Sequence, residues 1–289
     1  MSTRAAAELK LPIELILLAI EHAALDDLDA KMQISEKAIR RWRHWVAGLC
    51  IVCRALEPAM ARILYTLVHV HPGNVDAVVR AAEMDTRPFR RARAVYFDME
   101  HTDTSALCAS FQHVHACTGE LHYLRPLLNK RVNSHDLRPL SVHLTLANDI
   151  FELSTVVVTA ERLHLAYVAP RLTSYDDLSR FRTRFLILDI HPATSDDAIE
   201  KLSQLLRIQT LERILVRPSV PWNVSGAQPL RDRIRSFAET ARSAIIWFDD
   251  SFPTYTVGEL IRHRHLFDAM RGDDLWLGGC QLYVPGTDA

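Results

Sequence analysis

Apolar positions along the chain change their period once, near residue 70. Before that point they recur at helical spacing. From Ile13 to Ala24 nine of twelve residues are apolar: Ile13, Leu15, Ile16, Leu17, Leu18, Ala19, Ile20, Ala23 and Ala24. A surface helix needs one apolar stripe, so a helix this apolar around its circumference is expected to be buried on more than one side. It is shorter than the about 20 apolar residues that span a bilayer. Its second face must therefore meet either this chain's own body or a partner protein. Pro12 suits the first helical position, where its missing N–H costs nothing, and Glu14 sets negative charge at the positive end of the helix dipole. Trp42, Trp45, Val46, Leu49, Cys50, Cys53 and Leu56 then fall at i, i+3, i+4, i+7, i+8, i+11 and i+14, one face of a second helix. Pro58 interrupts it, and Met60, Ile63, Leu64 and Leu67 share a face of a third.

Beyond the turn signal His71-Pro72-Gly73 the texture becomes short β-like runs alternating with helix-like ones. Val95 to Met99 alternates as a strand should, while Asp76 to Glu83 and Ser105 to Cys117 read as helix. Leu121-His122-Tyr123, Val142-His143-Leu144, Leu163-His164-Leu165 and Leu186-Ile187-Leu188 start at steps of 21, 21 and 23 residues. A short Leu-rich strand recurring every 20–29 residues, on the order of a leucine-rich repeat, predicts stacked units that share one core. Arg213 to Val216, Ala244 to Phe248 and Leu275-Trp276-Leu277 read as later, less regular strands. Asp196 to Arg207 is the clearest intervening helix, with Ile199, Leu202, Leu205 and Leu206 as its stripe and Ser195 able to cap it. Pro126, Pro170, Pro192 and Pro218 are expected to end strands, since proline cannot donate to the ladder. Strand, crossover and strand in one direction imply a parallel sheet, and a doubly wound α/β domain stays open as the rival.

Leu11-Pro12-Ile13-Glu14-Leu15, followed by Val52-Cys53-Arg54 and closed by Leu64-Tyr65, resembles an F-box, and more narrowly the F-box-like domains of mushroom-forming fungi. The resemblance covers roughly residues 9 to 70. Two departures are Asp29 to Arg41, extra polar sequence between the first two helices, and Leu56, where many F-boxes carry Trp. The region behind it resembles the degenerate leucine-rich arrays found after fungal F-boxes, without the Asn or Cys of strict repeats. The fold expected is thus α+β: a tail over 1–8, an F-box-like three-helix module over 9–70, and an α/β leucine-rich-repeat-like solenoid with a parallel sheet over 71–289. The resemblance implies a non-catalytic substrate-recognition subunit of a cullin-type ubiquitin ligase. Leu11, Pro12, Ile13, Leu15, Ile16 and Val52 would dock a Skp-type adaptor, and the solenoid would hold a target protein. The alternative is a stand-alone repeat scaffold whose first helices only cap the array.

Composition narrows the chemistry. With 34 basic and 35 acidic residues, a net charge of -1 gives no general affinity for nucleic acid or anionic membrane. Residues 1–10 carry no apolar leader, so a cytosolic or nuclear setting with reduced cysteines is expected. Strand alternation sends Val142, Leu144, Leu163, Leu165, Leu186 and Leu188 to one side, with Leu121 and Tyr123. His122, His143 and His164 go to the other side, with Asp189, Arg213 and Arg217. That second row is either a target-binding surface, with His122, His143, His164, Asp189 and Arg213 as contacts, or ordinary outward polar sequence. No metal is expected on it. Strands lie about 4.8 Å apart, so three histidines in line cannot converge to the about 2 Å that zinc requires. His113, His115, Cys117 and His122 lack a paired Cys/His framework. Cys50 and Cys53 at i, i+3 on an apolar face read as core thiols. Ser134-His135-Asp136 is no triad, because consecutive side chains diverge. The nine glycines form no phosphate-binding loop, so neither a cofactor nor an enzyme is expected.

Overall fold

The computed structural model describes residues 12–32, 36–52, 56–84, 89, 92–99, 107–111, 113–133, 140–145, 160–166, 181–190, 195–218, 224–249, 264–266, 268–269 and 274–286. The chain divides into two compact units, 1–66 and 67–289. Among the described residues no helix is long and apolar enough to cross a membrane.

The first unit packs three helices, α1 (Ile13–Met32), α2 (Glu36–Val52) and α3 (Glu57–Leu64). Much of the polar stretch from Asp29 to Arg41, expected between the first two helices, is itself helical, because α1 continues to Met32 and α2 begins at Glu36. The core is Ala24, Trp42, Val46, Leu56, Met60 and Ile63, with Leu17, Ile20, Leu49 and Leu64 against it. Leu17, Ile20 and Ala24 at i, i+3 and i+7 form an inward stripe of α1. The Trp42 indole Nε1 donates to the Ala24 carbonyl at 2.8 Å, which satisfies the one polar atom of a buried aromatic and ties α2 to α1. Trp45, expected on the same face, is exposed.

The second unit is a mixed α/β layer built on a nine-stranded sheet in strict sequence order. Its strands are β1 (Leu67–Val70), β2 (Ala94–Phe97), β3 (Ala116–Gly119), β4 (Ser141–Leu144), β5 (Arg162–Leu165), β6 (Phe185–Ile190), β7 (Arg213–Pro218), β8 (Ile246–Phe248) and β9 (Cys280–Gln281). The first eight are parallel and β9 closes the end antiparallel to β8. A doubly wound sheet reverses its strand order at a switch point; this order never reverses, which removes that rival. The described helices include α4 (Val75–Glu83), α5 (Leu121–Asn133), α6 (Ser195–Leu205), α7 (Val224–Thr240) and the one-turn α8 (Asp274–Leu277).

Five expectations change here. Leu67 to Val70, assigned above to the helical module, pair with Ala94 to Phe97 as the first strand. Cys117 lies in β3 rather than in a helix. Leu121-His122-Tyr123 opens α5, and Pro126 sits inside that helix instead of ending a strand. The strand of that unit is Ala116–Gly119, five residues earlier than the pattern puts it. Gly119 ends it at φ +151°, where a Cβ would stand 3.0 Å from the Phe97 carbonyl oxygen, and the helix starts two residues on. Leu275-Trp276-Leu277 is likewise helical. The spacing of 21 and then 23 residues holds between Ser141, Arg162 and Phe185.

Both faces of the sheet are covered. On the first, Val142, Leu144, Leu163, Leu165, Leu186, Leu188, Ile214 and Val216 are buried, and Leu163, Leu165 and Leu186 meet Leu205, Ile208 and Leu211 at the end of α6. On the second, Ile187 and Leu215 pack against Leu275 and Trp276 of α8. Gly279, at φ +83°, makes the turn from α8 into β9. A Cβ there would lie 2.7 Å from both Leu215 Cδ1 and the Phe248 carbonyl oxygen. Gly279→Ala is therefore expected to cost about 1–3 kcal/mol, read as a lower midpoint in urea. An unchanged midpoint would mean that the turn adapts freely.

Candidate functional site

Two places in the molecule carry the candidate residues. The first is the outward side of α1. Leu11 lies outside the described residues, as do the side chains of Ile13 and Val52. Pro12 is exposed, and its carbonyl accepts from the Leu15 and Ile16 amides, starting the helix. Leu15 is 51% exposed, Ile16 40% and Leu18 51%. Leu15 and Leu18 lie on the side of α1 away from the Leu17, Ile20 and Ala24 stripe, and Ile16 flanks that stripe next to Ile20. On α2, Trp45 is 45% and Ile51 88% exposed. Neither was singled out as an outward residue, because the second helix reads as having one apolar stripe that takes Trp45 in.

The second place is the face of the sheet expected to hold a target, and it differs from the expectation. His122 is not on it: it stands exposed at the start of α5, 3.3 Å from Glu120. His143 and His164 pair across β4 and β5 as the alternation requires, yet both are buried, at 3% and 0% exposure. Helical residues 264–266 and 268–269, together with α8, lie over them. Arg213 donates to the Gly278 carbonyl and stacks 3.7 Å above the Trp247 ring. His143, His164 and Asp189 are thus not open to a target protein in this structure.

What the segment closes over is a charge network. The β6–β7 register sets Asp189 beside Arg217. The Arg217 guanidinium donates to Asp189 Oδ1 at 2.8 Å and forks onto Asp268, 2.9 Å to Oδ1 and 2.8 Å to Oδ2. Arg264 donates to Asp189 Oδ1 at 3.0 Å and to the Pro218 carbonyl at 3.2 Å. His164 Nε2 lies 3.0 Å from Asp189 Oδ2, and its Nδ1 is 3.1 Å from His143 Nδ1. His164 Nε2 also lies 3.0 Å from Arg217 Nη2, so it stands between a carboxylate acceptor and a guanidinium donor, and which ring nitrogens donate depends on the tautomers. The formal charges of its two arginines, Arg217 and Arg264, and its two aspartates, Asp189 and Asp268, cancel.

The electrostatics follow from burial. Dehydration pushes His143 down to about 3, and neighbouring His164 adds to it. The same two causes take His265 down to about 4. Burial alone would raise the carboxyls of Asp189 and Asp268, but Arg217 beside both, with Arg264 and His164, holds them well below the usual carboxylate range. Burial likewise works against the Arg217 charge, and the two aspartates overcome it.

Chemically the cluster holds itself. His164, Asp189 and Asp268 offer ligand atoms within 4.8 Å of one another, the spacing of a metal site. The Arg217 Nη2 sits among them, 3.0 Å from His164 Nε2, 3.1 Å from Asp189 Oδ2 and 2.8 Å from Asp268 Oδ2. A guanidinium fills the position a cation would take. In the N-terminal strands His69 stacks on Tyr96 at 4.7 Å and lies 3.5 Å from Asp98. His113, named above with His115, Cys117 and His122, bonds instead to the Phe89 carbonyl at 2.8 Å.

No protein family, characterised protein or solved structure matches the chain. The functional reading therefore rests on these two places alone. Arg264, His265 and Asp268 were not legible as site residues. Their one sequence signal is the i, i+4 spacing of Arg264 and Asp268, which marks a shared helix face but not what that face meets.

Proposed function

We propose that the chain is a non-catalytic interaction protein, the substrate-recognition subunit of a cullin-type ubiquitin ligase. In this reading the first unit is F-box-like and docks a Skp-type adaptor, and the second is leucine-rich-repeat-like and holds a target protein. The mechanism is proximity: the chain makes no bond itself, and a partner enzyme modifies what it holds.

The observation that carries the reading is the apolar side of α1 left in solvent. The unit already has its own core of Trp42, Val46, Met60 and Ile63, while Leu15, Ile16 and Leu18 remain exposed. Fully burying one such side chain is worth about 1.5–3 kcal/mol. About half of Leu15 and of Leu18 is still exposed, so covering the two is worth about 1.5–3 kcal/mol, the scale of a hot-spot contact. Leu15 and Ile16 are among the residues for which the F-box resemblance implies adaptor contact, and Leu18 extends the exposed apolar side beyond them. Parallel strands in sequence order, spaced by 21 and 23 residues in the centre, support the repeat half of the reading.

The test is direct binding of the full chain to a Skp-type adaptor. Leu15→Asp with Leu18→Asp is expected to weaken it at least 100-fold, about 2.7 kcal/mol, with the melting temperature unchanged because both residues are exposed. Equal binding by the double variant, or none by the unaltered chain, contradicts the reading.

A further inference from the structure

We infer that the rim of the sheet's second face, where Arg162, Phe185, Arg213 and Trp247 meet solvent, is a docking site for an acidic segment of a target protein. A carboxylate of that segment binds the Arg213 guanidinium, and an apolar side chain beside it covers Phe185 and Leu277. This deepens the target-holding half of the function proposed above and rests on it. Of the residues expected to contact a target, Arg213 alone both lies on this face and keeps surface in solvent.

The register of the sheet builds the rim. β7 carries two arginines on this face, and their neighbours on β6 differ: Arg217 stands opposite Asp189, whereas Arg213 stands opposite Phe185. Arg162 flanks Phe185 from β5, and Trp247 follows on β8, beside Leu215. Adjacent strands lie about 4.8 Å apart, so these side chains touch. The Arg213 guanidinium lies 3.7 Å from the centre of the Trp247 ring, and those of Arg162 and Arg184 each lie 5.6 Å from the centre of the Phe185 ring. Phe185 and Trp247 pack against the buried cluster of Ile187 and Leu215 and are themselves partly exposed, as are Arg162 and Arg213. Leu277 precedes the Gly278 carbonyl that Arg213 holds, and it is 67% exposed.

Charge sets Arg213 apart. Arg217 holds Asp189 and Asp268, and Arg184 holds Glu161 and Glu212. Among the described residues no carboxylate reaches Arg213. Its described contacts are the Gly278 carbonyl and the Trp247 ring, and its Nε finds no acceptor. Burial accordingly pushes this guanidinium below the usual arginine range. Dehydrating an ion is costly unless an opposite charge offsets it, so a carboxylate from outside gains more here than at an arginine already paired. The guanidinium is also held against an indole, which presets its planar fork for carboxylate oxygens. Tryptophan and arginine are the side chains on which binding energy concentrates. A small anion would leave Phe185 and Leu277 wet, whereas a peptide covers them. Guanidiniums among rings also suit single-stranded nucleic acid; the chain's net charge of -1 disfavours it, and the test separates the two.

The probe is the peptide acetyl-Ser-Glu-Ser-Leu-Ser-Glu-Ser-Leu-Ser-amide, whose Glu and Leu side chains face one way when extended. It is titrated into the isotope-labelled full chain while the Trp247 indole N–H resonance, assigned with Trp247→Phe, is followed. A saturable shift is expected. Replacing both Glu of the peptide by Gln is expected to weaken binding about tenfold or more, and Arg213→Gln in the chain to do the same. Arg207→Gln, at an exposed arginine beyond α6, is expected to change nothing. No saturable shift, or equal binding of the Glu and Gln peptides, overturns the proposal, and so does tighter binding of an oligothymidylate at the same resonance. These outcomes need only the unaltered chain, so they decide even if a variant fails to fold. Adaptor binding is read on the first unit, so the two readings can fail separately.

Discussion

Arg217→Met is expected to lower the unfolding free energy by about 3–5 kcal/mol, the cost of stranding one side of a buried ion pair. Arg217 donates to both Asp189 and Asp268. Methionine fills much of the volume, so the loss reports charge rather than a cavity. Without the guanidinium, Asp189 keeps Arg264 at 3.0 Å, whereas Asp268 keeps only the more distant Arg264 Nε at 4.0 Å and His164 at 3.9 Å. Adding Asp268→Leu removes the stranded charge and restores neutrality, and the pair of substitutions is expected to recover more than half of the loss. Urea unfolding of the three proteins measures it. A single-variant cost below about 1 kcal/mol would mean that the network is hydrated and contributes little.

Acidification is expected to destabilise the sheet unit well before ordinary carboxylates titrate. A histidine held at about 3 or about 4 in the folded chain and near 6.5 in the unfolded one means that the unfolded state binds more protons between those values. Stability therefore falls as the pH drops from about 6.5 toward 4, by up to about 1.4 kcal/mol per unit for each histidine. By pH 5 the two together lose about 2–4 kcal/mol. Asp189 and Asp268, both held below the usual range, add to the loss once the pH passes below about 4. Unfolding midpoints from pH 7.5 to 5 measure the slope, and His265→Gln is expected to remove about half of it. A flat profile over that window would show that both rings are protonated or hydrated in the folded chain.

The part of the fold legible in the sequence is the part that a local period determines. Val142-His143-Leu144, Leu163-His164-Leu165 and Leu186-Ile187-Leu188 gave strands, their spacing and the side each residue takes, because alternation along a strand is a local property. The same three-residue pattern at Leu121-His122-Tyr123 opens a helix, since three residues cannot separate a period of 2 from one of 3.6. There the backbone at Gly119 decided. Leu275-Trp276-Leu277 misled in the same way. The exposed stripe of α1 was half legible: apolarity around the helix led to the expectation of two covered sides, and the structure covers Leu17, Ile20 and Ala24 while Leu15 and Leu18 stay exposed. The burial of His143 and His164 was not legible at all. Alternation says which way a side chain points, not what lies over it, and the partners that close the network come from far along the chain, Arg264 being 75 residues from Asp189.

The central claim is that α1 offers an apolar side to another polypeptide while the sheet unit completes its own interior. Hydrogen exchange of the full chain with and without a saturating Skp-type adaptor tests it most directly. The account predicts new protection over residues 12–24, none over β1 to β9, and its loss in the Leu15→Asp, Leu18→Asp variant. Protection confined to the sheet strands, with α1 exchanging as freely as before, would contradict it.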